Sequence, residues 1–277
     1  GGGFGSFSLR PASAEFGLDA REIAQLSELR DALGAGLDAV IRRNPDFSTD
    51  DRLVRFLRAN QNDVQRTVKA WPVMLQWRAE MGCDAIRAQV EEQFSETFWD
   101  MDCLPKRDVM RKYYLFTPNH VVTREGALVS VECTGRVNIR QFMKEITEKD
   151  VIRFWCYLME WNMQKLALLS RKHSRIVSMI QIKDLDGLHL SQATCPTGLA
   201  RFAKINRMLH DTYPETLERL VVINIPKAFG IIFRVFKPLL PTRTIKKLSI
   251  TSRSSRQQEE VLTQYLNAAD LVIKHKG

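Results

Sequence analysis

This 277-residue sequence lacks the marks of a secreted or membrane-spanning protein. No apolar run approaches the roughly 18–20 residues that a helix needs to cross a bilayer, and the Gly/Ser-rich start has no charged segment leading into an apolar one. The five cysteines are odd in number, widely spaced and without a CxxC pair, so neither a zinc site nor a disulfide framework is expected. A reducing cytosol fits this cysteine usage, and we predict a cytoplasmic protein.

Catalytic signatures are missing as well. The sequence has no GxSxG elbow, no GxxxxGK phosphate loop, no GxGxxG motif after a strand and no HExxH motif. His210 beside Asp211 is more typical of a surface pair at a helix end than of a catalytic dyad. The "DLDG" segment at 184–187 lacks the later ligands of a calcium loop, which favours a turn at the end of a strand. We therefore predict a protein that is not an enzyme and that has neither a metal nor a cofactor.

Acidic residues are missing from one long segment. The whole chain has a net charge of +9, which suggests an anionic partner, either nucleic acid or anionic lipid. Between Arg219 and Gln258 there are nine cations and no acid. Nucleic-acid binding usually combines basic residues with exposed stacking aromatics, whereas the aromatics here lie in an otherwise aliphatic stretch. For any single cation a solvated face is the simpler interpretation, but together they favour an anionic membrane surface over nucleic acid.

The N-terminal part of the chain is rich in helix signals. Residues 1–17 are Gly/Ser-rich and predicted to be flexible, and residues 18–105 are predicted to form a helical region. Ser48 begins a pattern that resembles a capping box, and Asp63 can cap the next helix. Pro72 lies inside this second helix and should kink or break it, because proline removes a backbone donor and crowds the preceding turn.

Residues 106–277 change to apolar strands that alternate with longer helical patterns. This order is typical of an α/β fold with a mixed or parallel sheet covered by helices. Helices are predicted near 148–171 and 197–211. The predicted strands are "KYYLF", "ALVSVEC", "RIVSMIQIKDL" and "RLVVINI", and "RQQEEVLTQYLNAADLVI" closes the chain with another helix.

The segment "IPKAFGIIFRVFKPLLPTRTIKKL" at 225–248 is apolar on nearly every side in its first half. A helix that is apolar all round is stable only where both sides meet apolar surroundings. One interpretation is a fully buried helix. The other is a lid that covers a pocket with one side and meets a bilayer with the other. The surrounding cations favour the lid.

Four stretches together resemble one family. "LVRFLRANQNDVQRTVKAWPVMLQWRAEMG" resembles the N-terminal helical region of CRAL-TRIO lipid-transfer proteins. "YPETLERLVVINIPKAFGIIFRVFKPLLPTRTIKKL" resembles the second half of their lipid-binding domain, with "REGALVSVECTG" and "IKDLDGLHL" between in the expected order. The likeness covers about residues 48–272. It implies the CRAL-TRIO fold, in which an α/β sheet forms the floor of an apolar pocket and a mobile gate helix opens at membranes to exchange one lipid.

The resemblance also assigns residues to the gate, the pocket and the membrane surface. The gate and apolar pocket are expected to include Phe229, Ile232, Phe233, Val235, Phe236, Leu240, Met179 and Gln181. The cations expected to face an anionic leaflet are Arg234, Lys237 and Lys246, each contributing on the order of 1 kcal/mol near the surface. Such binding would be reversible, which implies a protein that is peripheral at membranes.

A closer likeness, to the yeast-type phosphatidylinositol transfer proteins, implies a head-group site. Their head-group Glu, Thr and Lys align with Glu215, Thr244 and Lys247. A hydroxyl and an ammonium can hold a phosphate, while a carboxylate accepts from inositol hydroxyls. The family's head-group arginine aligns with Asn60, which supplies no charge. Arg58 does not replace it, because two positions along a helix turn the side chain by about 200°.

The function implied by the resemblance is that of a monomeric carrier that extracts phosphatidylinositol and presents it to a lipid kinase. Where phosphatidylcholine-binding members have Ser, Thr and Tyr, this chain has Met179, Gln181 and Ser130. A second ligand is therefore expected to be a sterol, another apolar molecule or haem rather than phosphatidylcholine. The alternatives are a carrier of another hydrophobic ligand, of the tocopherol or retinaldehyde type, and a membrane-recruitment scaffold that binds lipid without moving it.

Overall fold

The structure, a computed structural model, describes residues 16–93, 106–113, 121–123, 125–251 and 255–266. Its N-terminal part is helical. The helices are α1 (Ala20–Arg43), α2 (Asp50–Ala59), α3 (Val64–Met81), α4 (Cys83–Gln93) and α5 (Arg107–Tyr113). Most of the segment predicted to be flexible, and the boundary predicted at residue 105, lie outside the described residues. Phe16 and Leu18 are buried in the core of the helical region.

Side-chain caps define two of the helix starts. Asp63 accepts a hydrogen bond from the backbone N–H of Arg66 at 2.8 Å, so the predicted cap of α3 is confirmed. Thr147 and Asp150 form a reciprocal capping box at the start of a later helix. The predicted role of Ser48 is wrong, because Ser48 ends a 3-10 turn and Thr49 takes the N-cap position of α2.

Pro72 does not break α3, which continues from Val64 to Met81. Trp71 and Met74, on either side of the proline, are both buried in the core of the helical region. Burying such side chains stabilises a fold by roughly 1.5–3 kcal/mol each. This packing offsets the roughly 3 kcal/mol that an interior proline costs, so the predicted break is wrong.

The second part of the chain forms a five-stranded mixed sheet in the order β1-β2-β3-β4-β5. The strands are β1 (Val121–Val122), β2 (Leu128–Glu132), β3 (Met179–Asp184), β4 (Leu217–Ile223) and β5 (Leu248–Ile250). β1 pairs antiparallel with β2, and the other neighbours pair in parallel. The predicted strand "KYYLF" is wrong at Lys112 and Tyr113, which belong to α5, and its remaining residues lie outside the described part of the chain. Met110 and Tyr113, one helical turn apart, are both buried, so packing selects the helix.

Helices cover both faces of this sheet. They are α6 (Ile139–Glu145), α7 (Glu148–His173), α8 (Leu190–Ala193), α9 (Pro196–Thr212), α10 (Phe229–Phe236), α11 (Thr242–Lys246) and α12 (Ser255–Leu262). On one face, Ile180 and Val221 pack against Leu262 of α12. On the other, Leu128 and Met179 pack against α7. The alternation of strand side chains thus gives the sheet two separate cores.

The predicted turn at the end of β3 is confirmed. Asp184, the last residue of β3, accepts from the backbone N–H of Asp186 and from the amide of Asn224, both at 2.9 Å. Gly187 follows with a φ of +83°, a conformation that glycine adopts without steric cost. The "DLDG" carboxylates therefore shape a turn.

A buried ionic cluster joins the helical region to the sheet region. Glu160 of α7 is fully buried, and its carboxylate contacts Arg78 of α3 at 2.7 Å and Arg52 of α2 at 3.3 Å. The hydroxyl of Tyr213, at the end of α9, donates to the same carboxylate at 2.7 Å. We call Glu160, Arg52, Arg78 and Tyr213 the Glu160 cluster. It joins α2 and α3 of the helical region to α7 and the end of α9.

Candidate functional site

A cavity of about 350 Å³ lies between the sheet and α10. Its floor includes Met179, Gln181 and Lys183 of β3, which point to one side because strand side chains alternate. Leu220 and Val222 of β4 extend the same floor. Most of the lining surface is apolar, so the cavity suits the hydrocarbon part of a ligand.

Helix α10 forms the roof of the cavity with one face. Phe229, Ile232, Phe233 and Phe236 line the cavity, at the spacing that places side chains on one side of a helix. The rings of Phe229 and Phe233 stack with centroids 5.6 Å apart. Phe236 meets Phe202 of α9 edge to face at 5.0 Å, which ties the roof to the cavity wall.

The outer face of α10 is open to solvent and partly apolar. Ile231 is 53% exposed. Arg234 and Lys237 are also exposed, as is Lys246 on α11. Of the residues predicted for the gate, Leu240 lines the cavity after α10 ends, whereas Val235 is half-buried on the flank of the helix and does not line it.

Charged side chains meet at one end of the cavity, where the chain enters β4 and β5. Glu215 contacts Arg243 at 2.6 Å and Lys247 at 3.0 Å, and all three line the cavity. Thr244 lines it too, and its hydroxyl makes no hydrogen bond to a described residue. We call Glu215, Arg243, Thr244 and Lys247 the head-group clamp, after the role that the resemblance implies for Glu215, Thr244 and Lys247. With two cations and one carboxylate, it has a formal charge of +1.

The two cations shift the pKa of Glu215. Burial by itself raises the pKa of this carboxyl, but Lys247 and Arg243 outweigh that effect, so the pKa lies below its ordinary value of 4.5. The carboxyl is therefore ionised at neutral pH. It therefore pairs with both cations as a charged group.

Arg55 of α2 holds the backbone of Glu215. Its guanidinium donates to the Glu215 carbonyl at 2.7 Å and to the Val177 carbonyl at 2.5 Å, and it pairs with Asp51. The backbone φ of Glu215 is +52°, which is uncommon for a residue with a side chain. The hydrogen bond from the fully buried Arg55 stabilises this conformation. The helical region thus positions one residue of the head-group clamp.

Asn60 is not brought to the cavity. It is the C-cap of α2, and its amide donates to the Phe56 carbonyl at 2.9 Å. Its neighbour Ala59 lines the cavity instead. Arg58 pairs with Glu22 of α1 at 2.7 Å and does not line the cavity.

Arg243 lines the cavity and contacts Glu215, but the sequence did not single it out as a candidate site residue. In the sequence, Arg243 is one of the nine cations between Arg219 and Gln258, and it lies next to Thr244. The contact with Glu215, 28 residues earlier in the chain, depends on the fold. Charge and motif spacing alone do not reveal such a contact.

The three positions compared with phosphatidylcholine-binding proteins lie near one another on the sheet. Met179 and Gln181 line the cavity. Ser130 pairs in register with Gln181 but is buried and does not line the cavity.

His210 and Asp211, 2.8 Å apart, form the exposed helix-end pair that the sequence predicts, and His210 also lines the cavity.

Within the described part of the chain, no helix is both long and apolar enough to cross a membrane. The same part of the chain contains no group of three or more His, Cys, Asp or Glu side chains placed to hold a metal ion.

Comparison with known proteins gives relatives over most of the chain. The SEC14 cytosolic factor of Yarrowia lipolytica is 30% identical over 235 residues, which are 84% of this chain and 44% of the relative. The phosphatidylinositol/phosphatidylcholine transfer protein SFH4 of Arabidopsis thaliana is 26% identical over 259 residues, 91% of this chain and 38% of the relative. The chain therefore spans less than half the length of these two relatives. The SEC14 cytosolic factor of Kluyveromyces lactis is 29% identical, and the match covers 94% of this chain and 78% of the relative.

The fold and the family predicted from the sequence are confirmed. The crystal structure of Sfh5 superposes with a TM-score of 0.59 at 16% identity, covering 84% of this chain and 80% of the other, so the two share a fold. The profile of the CRAL/TRIO domain matches residues 112–277, more than half of the sequence. This chain belongs to the CRAL/TRIO domain family.

Proposed function

We propose that this protein is a lipid-transfer protein that binds phosphatidylinositol in its cavity and exchanges it with membranes. One observation carries the proposal: an apolar cavity roofed by α10 ends in a head-group clamp of formal charge +1. The phosphodiester of phosphatidylinositol carries one negative charge. The cavity would take the acyl chains and the clamp the head group.

The chemistry of the head-group clamp suits an inositol phosphate group. Lys247 and Arg243 can donate charge-assisted hydrogen bonds to phosphate oxygens, and the free hydroxyl of Thr244 can add a neutral one. Glu215 can accept hydrogen bonds from inositol hydroxyls. Arg243 supplies a guanidinium that Asn60 lacks. Glu215 neutralises one of the two cations. When the lipid binds, its phosphate would take over part of this neutralisation.

The outer face of α10 supports exchange at a bilayer. Ile231 can enter the apolar part of the interface when the helix moves. Arg234, Lys237 and Lys246 can meet anionic lipid, each contributing on the order of 1 kcal/mol near the surface. Salt screens the attraction between these cations and the anionic lipid, so the binding to the membrane is weak enough to be reversible. The protein would therefore be cytoplasmic, peripheral at membranes, and able to present the lipid to a kinase.

Phosphatidylcholine is not the second ligand in this proposal. The cavity floor has Met179 and Gln181 where relatives that bind it are expected to have hydroxyls, and Ser130 does not line the cavity. A carrier of another hydrophobic ligand is one alternative, and a scaffold that binds lipid without moving it is the other. The scaffold would show binding of phosphatidylinositol without transfer.

The decisive experiment measures transfer of labelled phosphatidylinositol between vesicles. We expect Lys247→Ala to reduce transfer by roughly ten- to a hundredfold, because hydrogen bonds to charged groups contribute about 1.5–3 kcal/mol. Lys172→Ala is the matched control, since this exposed lysine at the end of α7 does not line the cavity. Normal transfer by Lys247→Ala would refute the head-group clamp. Mass spectrometry of lipids that co-purify with the protein would identify the natural ligand directly.

A further inference from the structure

Two buried thiols lie side by side where α4 packs against α7. Cys83 is the first residue of α4 and Cys156 lies within α7, and both side chains are fully buried in the same apolar core. The Cys156 thiol donates a hydrogen bond to the Cys83 sulfur. Close to this pair, the hydroxyl of Tyr157 on α7 donates to Gln89 of α4, which holds the two helices together. Both cysteines are free thiols, and the proposed lipid binding uses neither of them.

The surroundings of the pair favour the thiolate form of Cys83. The hydrogen bond from Cys156 lowers the pKa of the Cys83 thiol, which burial by itself would raise. The nearby guanidinium of Arg78 lowers this pKa further, although the carboxylate of Glu160 partly opposes it. The hydrogen bond between the two cysteines raises the pKa of Cys156, which therefore keeps its proton. Cys83 is thus the nucleophile of the pair, because the thiolate is the reactive form of cysteine.

Cys83 lies directly behind the wall of the cavity. Tyr213 lines the cavity, and its hydroxyl donates to the Cys83 sulfur at 3.8 Å. Met110 also lines the cavity and belongs to the core that contains both thiols. A small uncharged oxidant such as hydrogen peroxide needs only a local movement of these side chains to reach Cys83. A bulky oxidant such as glutathione disulfide is excluded, because both thiols are fully buried.

We propose that Cys83 and Cys156 form an oxidation site, at which hydrogen peroxide converts two thiols into a disulfide that ties α4 to α7. The Cys83 sulfur attacks one peroxide oxygen, so that an S–O bond forms and the O–O bond breaks. The hydroxide that leaves takes up the proton that Cys83 has given up. The product is a sulfenic acid at Cys83.

Cys156 completes the reaction. Its sulfur attacks the Cys83 sulfur, so that the S–S bond forms and the S–O bond breaks. The second hydroxide leaves and takes up the proton of Cys156. In total the two thiols lose two electrons and the peroxide is reduced to two waters. This oxidation does not depend on phosphatidylinositol transfer.

The test treats the full chain with a small excess of hydrogen peroxide, blocks the remaining thiols with an alkylating reagent and counts them after denaturation. We expect the count to fall from five thiols to three, and dithiothreitol to restore it. Mass spectrometry of a non-reducing digest should find Cys83 cross-linked to Cys156. Cys195→Ser is the matched control, because Cys195 is another buried free cysteine, and this variant should form the same cross-link.

Two serine variants test the order of the steps. Cys156→Ser removes the second thiol, so the sulfenic acid at Cys83 should persist and react with dimedone. Cys83→Ser removes the nucleophile, so Cys156 should give no dimedone adduct. Thermal unfolding checks that both variants are folded, and the cross-link in the wild type tests the proposal independently of them.

Three results would overturn the proposal. One is an oxidised wild type without a cross-link between Cys83 and Cys156. The second is a cross-link that forms only in urea, which would mean that unfolding and not the native packing brings the two thiols together. The third is a dimedone adduct at Cys156 in the Cys83→Ser variant, which would show that Cys156 reacts with peroxide by itself.

Discussion

The carboxylate of Glu215 pairs with two cations, and a third cation donates a hydrogen bond to its backbone. Lys247 and Arg243 contact its two carboxylate oxygens, and Arg55 donates to its carbonyl. Without this carboxylate, two cations would repel each other at the rim of an apolar cavity. The residue therefore stabilises the folded protein, in addition to the ligand contact that we propose for it.

The pKa of Glu215 predicts how this stabilisation depends on pH. Because the pKa in the folded protein is lowered from 4.5, the contribution is fully present above pH 4.5 and is lost as the pH falls through the folded value. Wild type should be more stable than Glu215→Gln at neutral pH, and the two should converge in acid. Urea unfolding across this range checks the prediction, with Glu218→Gln at an exposed position as the control. A difference that grows as the pH falls below 4.5, or that stays the same down to the acid end of the folded range, would contradict it.

Helix α10 has an apolar inner face that lines the cavity and a partly apolar outer face that is open to solvent. Its inner face, from Phe229 to Phe236, closes the cavity, while Ile231 on the outer face is exposed. A substitution on the inner face, such as Phe233→Asp, damages the cavity and the membrane contact together. A substitution at Ile231 separates them, because it leaves the lining unchanged.

We therefore expect Ile231→Asp to slow lipid transfer from anionic vesicles about tenfold. Burying an isoleucine side chain in the membrane would stabilise the bound state by roughly 1.5–3 kcal/mol, and the anionic lipids would also repel a carboxylate at this position. Ligand binding in the absence of membranes should not change. Val73→Asp is the matched control, since Val73 is an aliphatic residue on α3 that is 65% exposed and does not line the cavity. Equal transfer rates for the two variants would mean that α10 does not enter the membrane.

At the scale of the whole molecule, the Glu160 cluster couples the helical region to the cavity. Arg52 and Arg78 come from the helical region, Glu160 from α7, and Tyr213 both donates to Glu160 and lines the cavity two residues before Glu215. Arg55 adds a second tie between α2 and the clamp. The helical region is therefore part of the site's support.

Glu160→Gln tests this coupling. Removing the charge of Glu160 leaves the guanidiniums of Arg52 and Arg78 buried with a weaker partner. We therefore expect the free energy of unfolding to fall by about 3 kcal/mol. This value is at the low end for a broken buried ion pair, because Arg78 still pairs with Asp84. Chemical denaturation measures the change. The control is Glu91→Gln, whose carboxylate also pairs with an arginine but is 58% exposed, and its effect should stay within about 0.5 kcal/mol. Equal effects would show that burial of the cluster does not matter.

Local patterns predicted most of the elements. The helices expected near 148–171 and 197–211 are α7 (Glu148–His173) and α9 (Pro196–Thr212), because their apolar periodicity extends over several turns. Short segments were less predictable. "KYYLF" has the composition of a strand, yet Tyr113 packs from a helix. Pro72 should have interrupted α3, but contacts distant in the chain outweigh the local cost.

The sequence by itself determined the α/β order, the apolar segment that becomes α10 and, through its resemblance to a family, the residues Glu215, Thr244 and Lys247. Each of these depends on composition, periodicity or a run of neighbouring residues. Only the tertiary structure decided that Arg243 joins Glu215 and that Asn60 does not line the cavity. Hydrogen bonds and ion pairs require their groups to come within about 3–4 Å, and for residues far apart in the chain that distance is set by the packing of the whole molecule.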